Sequence, residues 1–222
     1  MADALTGRLR RGARAIPGAL PTVRAARQKA FARRLRRLHD ALAPTTFADR
    51  YWVWSGLLLG WAREGRPLDH DLWDVDFALL PEDLDHFLAS VPALAAAGFT
   101  PRAYYCDDDG TPWEYQLECG PTKYEFWVLE PDAARTAMRY RSFVYKEARP
   151  REMLVCELPY QERVPFAFLG RTWHKVADHE TELTAIYGDW RTPDPTWTFL
   201  DSADVVERRP WNRGRDRWGT PR

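Results

Sequence analysis

The chain has 222 residues, 45% hydrophobic and 29% charged, with a formal net charge of zero. That length suits one domain with a sizeable core, and the composition is ordinary for a globular protein. Residues 1–45 hold eleven Arg or Lys against Asp3 and Asp40, so the remaining body is acidic, which argues against a nucleic-acid-binding core. No stretch approaches the ~20 apolar residues of a membrane span.

In chain order, residues 1–27 form a basic arm with few large apolar residues, interrupted by Pro17 and Pro21. The arm is expected to lack fixed structure. It either solubilises the chain or makes a peripheral contact with anionic lipid or a polyanionic glycan. From 28 to 42, Phe31, Leu35, Leu38 and Leu42 recur at spacings of four, three and four, which predicts an amphipathic helix. A strand over 51–54 leads into a helix over 57–64 that stops near Gly65 and Pro67. A second strand covers 74–80, and Pro81 opens a helix broken at Pro92 and ending at Gly98. Residues 99–130 alternate like antiparallel strands, while 131–165 give no clear signal. A hairpin turns at Gly170, and Asp178 caps a helix that runs to 186 and stops at Gly188. Residues 201–222 turn polar and predict a mobile tail, leaving 28–200 as the single folded domain.

Cys106, Cys119 and Cys156 form no C-x-x-C pair and are odd in number. They suit free thiols in a reducing compartment. The expected location is therefore cytoplasmic, with the inner face of the membrane open to the basic arm.

The strongest chemical signal is Asp74-Val75-Asp76. Side chains in a strand repeat every two residues, so both carboxylates share one face and Val75, Phe77 and Leu79 the other. Two like charges about 4 Å apart repel by roughly 4 kcal/mol at an effective dielectric of about 20. The pair calls for a proton or a cation, and hard oxygen donors suit Mg²⁺ or Mn²⁺. Upstream, Ser55-Gly56 stands where a strand turns into a helix, a place where backbone N–H groups bind phosphate. Arg63 and Lys123 are candidate diphosphate partners. Glu125 shares a strand face with Lys123 and Trp127, and Glu118 is its rival as a third carboxylate. Trp61, Trp73 and Trp127 flank these residues as core aromatics or as stacking surfaces for a base or sugar.

These elements resemble the LicD and fukutin-related phosphotransferases of the nucleotidyltransferase fold. The matching residues are Ser55-Gly56, Leu58-Leu59-Gly60, Arg63, Gly65, His70-Asp71 and Asp74-Val75-Asp76. Two further matches are Lys123-Tyr124-Glu125-Phe126-Trp127 and Tyr187-Gly188-Asp189-Trp190. The resemblance is dense over 50–80 and 165–193. It departs from the family pattern at Leu72-Trp73, which lengthens the aspartate run by one residue, and at Glu125, where the family more often has Asp.

The resemblance implies an α/β fold with a small mixed sheet flanked by helices and a helical C-terminal segment. It further implies a metal-dependent transferase. Asp74, Asp76 and Glu125, with Asp71 beside them, would hold Mg²⁺ or Mn²⁺. A phospho-alcohol such as phosphocholine or ribitol phosphate would pass from a CDP-alcohol donor to a glycan acceptor. Ser55, Gly56, Arg63 and Lys123 would bind substrate. Two other readings stay open: nucleotidyl transfer from a nucleoside triphosphate, and a non-catalytic glycan- or nucleotide-binding protein.

Overall fold

The computed structural model describes residues 21–144, 152–211 and 215–217. A six-stranded mixed sheet is built from β1 (Tyr51–Val53), β2 (Asp74–Leu79), β3 (Thr100–Cys106), β4 (Pro112–Cys119), β5 (Thr122–Val128) and β12 (Arg215–Arg217). Its order is β1-β2-β5-β4-β3-β12. β2 and β5 run parallel, and every other neighbouring pair in this sheet is antiparallel.

Helices α1 (Pro21–Leu42), α2 (Ser55–Glu64), α3 (Leu84–Ala96) and α4 (His179–Tyr187) flank it. The α1 stripe of Phe31, Leu35, Leu38 and Leu42 is fully buried. Together with Phe87 and Leu94 of α3 it covers Phe77, Tyr115, Tyr124 and Phe126 on one face of the sheet. The rings interlock there, with Phe87 and Phe126 centroids 4.6 Å apart and Phe77 stacked on Phe126 at 5.1 Å. Such pairs add about 0.5–1.5 kcal/mol each beyond their buried area.

The other face meets a four-stranded sheet of β6 (Glu130–Pro131), β7 (Ala137–Val144), β8 (Glu152–Pro159) and β11 (Val205–Pro210), ordered β11-β8-β7-β6. Trp52, Trp54, Ala78 and Leu80 pack there against Met138, Tyr140, Leu154 and Leu158. The alternation of β2 thus sends Val75, Phe77 and Leu79 to the helices. Asp74 and Asp76 share the opposite face with Ala78. β9 (Arg163–Phe168) and β10 (Arg171–Val176) form the hairpin at Gly170. Leu169 and Gly170 both have positive φ, 50° and 73°, the backbone a tight two-residue hairpin needs.

Four features differ from the sequence expectations. First, α1 starts at Pro21, because Gln28 and Arg24 tie its first turns to Asp69. Residues 1–20 of the arm lie outside the described residues. Second, α3 runs through Pro92. A proline offers no N–H to the carbonyl four residues before it. That residue, Leu88, is exposed to solvent, which can take the freed bond.

Third, the unsignalled stretch after 130 supplies most of the second sheet. Fourth, residues 205–210 pair with β8, and Trp211 is 2% exposed with its Nε1 donating to the Cys106 carbonyl at 3.1 Å. β11 is exposed along nearly all its length, so it carries no apolar alternation and resembles a tail in sequence. Beyond α4, the helix of the C-terminal segment, the described chain is turns, one 3-10 turn (Phe199–Asp201) and the strands β11 and β12; residues 212–214 and 218–222 lie outside the described residues. No helix among the described residues is long and apolar enough to cross a membrane.

Candidate metal centre

The parallel register sets Asp74 beside Lys123 and Asp76 beside Glu125. One carboxylate oxygen from each of Asp74, Asp76 and Glu125 falls within 4.8 Å of the others. Three convergent oxygens are a donor set for a hard divalent cation. Asp74 Oδ1 is buried and has no hydrogen-bond partner, a position a cation would satisfy. The residues present therefore fit Mg²⁺ or Mn²⁺.

Each carboxylate is held differently. Asp76 Oδ1 accepts from Trp127 Nε1 at 3.1 Å. Glu125 Oε1 takes the Lys123 ammonium at 2.6 Å and the Gln116 amide at 2.5 Å. Asp74 Oδ2 lies 3.2 Å from Lys123 Nζ. The same Gln116 amide donates to Glu114 Oε1 at 2.7 Å.

Burial dominates the electrostatics. It pushes Asp74 up to about 7, with the charges of Glu125 and Asp71 adding to the effect. Asp76 is raised well above the usual range by burial and by the charges of Asp74 and Glu125. Glu125 goes the other way. Its burial is outweighed by the Lys123 charge and by hydrogen bonds from Glu114, Lys123 and Gln116. Glu114, 1% exposed, is driven strongly upward by burial and by Glu125's charge, so it holds the proton of that pair. The Lys123 side chain is partly buried, 27% exposed, and the charges of Asp74 and Glu125 keep its ammonium firmly charged.

The strand-to-helix turn lies alongside. Trp54 N–H bonds the Asp76 carbonyl at 3.2 Å, tying the turn to β2. Ser55 then adopts φ 48°, a left-handed conformation that costs a non-glycine residue about 1 kcal/mol or more. Its hydroxyl meets Tyr187 Oη at 3.0 Å. The start of α2 carries no side-chain cap. Its first N–H groups are donors left over from the helix ladder. A methyl placed on Gly56 would overlap the Asp71 carboxylate, so glycine there lets Asp71 sit against the helix start. Burial raises Asp71 to about 6.

Leu72 and Trp73 are absorbed by the sheet. Leu72 is buried, and its carbonyl accepts from Thr122 Oγ1 at 3.0 Å. The Trp73 carbonyl accepts the Lys123 N–H at 2.8 Å. The longer run thereby extends the β2–β5 seam by its backbone.

The remaining candidates lie as follows. Arg63 donates twice to the Trp190 carbonyl, at 2.9 and 2.5 Å, binding α2 to the Tyr187–Trp190 segment. Glu118, the register partner of Lys123 on β4, pairs with Arg102 of β3 and lies outside the trio. Trp61 packs on Phe166 and His179. Trp127 packs on Trp54, and Trp73 is exposed beneath the Arg27 guanidinium. Sequence reasoning passed over Glu114 and Gln116. The signal was there in the alternation of Glu114, Gln116 and Glu118 along β4.

No protein-family model and no curated protein matches the chain. Among solved structures it is similar to the antibiotic-resistance factor ANT(2'')-Ia, whose solution structure is described as revealing substrate-regulated conformation dynamics. The two are 16% identical with a TM-score of 0.45, over 79% of this chain and 82% of that one.

Proposed function

We propose that this chain is a metal-dependent transferase of the nucleotidyl-binding type. In it a phospho-alcohol passes from a CDP-linked donor to a glycan hydroxyl. The observation that carries the reading is the convergence of Asp74, Asp76 and Glu125 on two parallel strands beside the uncapped start of α2. Mg²⁺ or Mn²⁺ held by these three would neutralise charge on the donor's diphosphate and on the departing CMP.

The protein's own residues supply positioning. Trp127 fixes Asp76, and Gln116 with Glu114 fixes Glu125. N–H groups at the start of α2, where the N-cap residue Trp54 makes no side-chain cap, are donors suited to phosphate oxygens. Such transfer relies on placement and charge neutralisation more than on a conventional acid–base pair. The donor and acceptor classes rest on the resemblance of the motifs, and the basic arm is proposed as a contact to the surface that carries the acceptor.

The test is CMP release from a panel of CDP-alcohols with Mg²⁺ or Mn²⁺ and crude surface glycan. D74N/D76N protein runs alongside. Release that vanishes in the variant and with chelator supports the reading, whereas pyrophosphate release from a nucleoside triphosphate replaces it with nucleotidyl transfer. One observation favours a second reading. Lys123 already pairs with two of the three carboxylates, as in a cluster that binds ligand without catalysis. Silence across the panel, with metal-independent ligand binding, would select it.

A further inference from the structure

We infer that Lys123 is a built-in counter-cation of the acidic cluster, competing with divalent metal for Asp74 and Glu125 and limiting the cluster to one ion. The inference rests on the metal-centre reading above.

The ammonium stands between Asp74 Oδ2 and Glu125 Oε1, at 3.2 and 2.6 Å. Its place is set by the fold rather than by a flexible stem reaching in from outside. The Lys123 N–H is bonded to the Trp73 carbonyl, and its Cα is the register partner of Asp74. The side chain leaves β5 on the carboxylate face and has a short way to go. The carboxylates therefore have a cation before any metal arrives.

The oxygen left over points to where an ion enters. Asp74 Oδ1 is buried without a partner, while Oδ2 of the same carboxylate faces Lys123. Asp76 keeps one oxygen clear of its bond from Trp127. One ion fits between Asp74 and Asp76, with Glu125 completing the set only as Lys123 yields part of its hold. A second divalent ion would have to stand where the ammonium stands. Like charges so close repel more strongly in this partly buried site than in bulk water. Asp71 and Glu114, the other acidic groups facing the cluster, sit against Gly56 and Gln116 respectively. Neither lies within the trio that converges on one point.

Lys123 thus takes over the charge-balancing task of a second ion, and the site trades metal affinity for stability when empty. Removing the ammonium should tighten metal binding and open the second position.

The experiment measures Mn²⁺ binding to the full chain by calorimetry, with bound ion counted by electron paramagnetic resonance. It compares wild type, Lys123→Met, Lys123→Gln and D74N/D76N. Circular dichroism establishes that each variant is folded, and Lys123→Gln keeps a donor for Glu125 if the methionine variant does not fold. The expected result is one ion per wild-type chain. Affinity should rise about tenfold or more in the Lys123 variants, with a second ion bound. Equal affinity and one ion in all three overturns the role of Lys123 while leaving the metal centre intact, as does wild type binding two ions. Absence of Mn²⁺ binding in wild type and in both Lys123 variants overturns the metal-centre reading itself, and this inference with it.

Discussion

Ser55 and Tyr187, 132 positions apart in the chain, meet through their hydroxyls at 3.0 Å. Ser55 is the residue whose left-handed backbone starts α2, and Tyr187 is the last residue of α4. The C-terminal segment thereby holds the turn beside the carboxylates in shape. Arg63, bonded to the Trp190 carbonyl, makes a second tie between the same two segments.

Y187F and S55A should each destabilise the protein by about 1 kcal/mol, the usual net value of a hydrogen bond. The double variant should cost no more than about one of them, because both remove the same bond. Urea midpoints of the four proteins measure the coupling. Strict additivity would show that the two hydroxyls do not interact in solution.

D76N should stabilise the metal-free protein at pH 8 by about 1–3 kcal/mol. The carboxyl of Asp76 is raised well above its ordinary value by burial and like charge. Its ionisation therefore opposes folding. Stability is fully present below the unfolded value near 3.8 and is lost as pH rises through the folded one. Asparagine has no charge to bury and can still accept from Trp127. Saturating Mn²⁺ should reverse the order, since a ligand at 100 times its Kd adds about 2.7 kcal/mol to a protein that binds it. Melts at pH 8 with chelator and with Mn²⁺ decide the matter.

Gly56→Ala should cost about 1–3 kcal/mol, the usual range for forcing extra volume into a packed place. The added methyl overlaps a single group, the Asp71 carboxylate. Asp71→Ala in the same chain should recover most of the loss. If the second substitution restores nothing, the crowding arises elsewhere.

Glu182 on α4 is fully buried, and neither carboxylate oxygen has a hydrogen-bond partner. Burial first, and then the charge of Asp204, pushes it up to about 8 from an ordinary 4.5. The folded form favours the protonated acid, so its contribution is whole below about pH 4.5 and declines up to about pH 8. Between pH 5 and 8 the wild type should lose roughly 3 kcal/mol relative to E182Q. Urea unfolding of both proteins at pH 5, 6.5 and 8 gives the difference directly. Parallel pH profiles would place the unshifted carboxyl in contact with water.

Much of the centre was legible because its physics is local. The Asp74-Val75-Asp76 alternation states its own two faces, and Asp178 with Gly188 states both ends of α4. Lys123-x-Glu125 was legible as one face of a strand, but its partner was not. Only the parallel register with β2 turns that face into a neighbour of Asp74 and Asp76. The reach of Arg63 and Ser55 toward the C-terminal segment spans more than 120 positions, so no spacing rule records it. The second sheet escaped notice because the alternation of Met138 and Tyr140 with Arg139 and Arg141 in β7 is short and β11 is exposed. Their pairing is carried by backbone hydrogen bonds that any sequence can make. Leu72-Trp73 looked like an interruption, yet the carbonyl of each residue found a donor at the start of β5.

The single parallel seam in the main sheet also governs when the site comes into being. Parallel neighbours cannot be joined by a tight turn, and here α3, β3 and β4 lie between β2 and β5 in the chain. Closing so long a loop is the slow, non-local step in forming a sheet. Asp76 and Glu125 remain apart until that closure is complete, so a half-made chain displays scattered acids but no pocket for an ion. Capture of metal would then mark the finished molecule and fall at the end of folding.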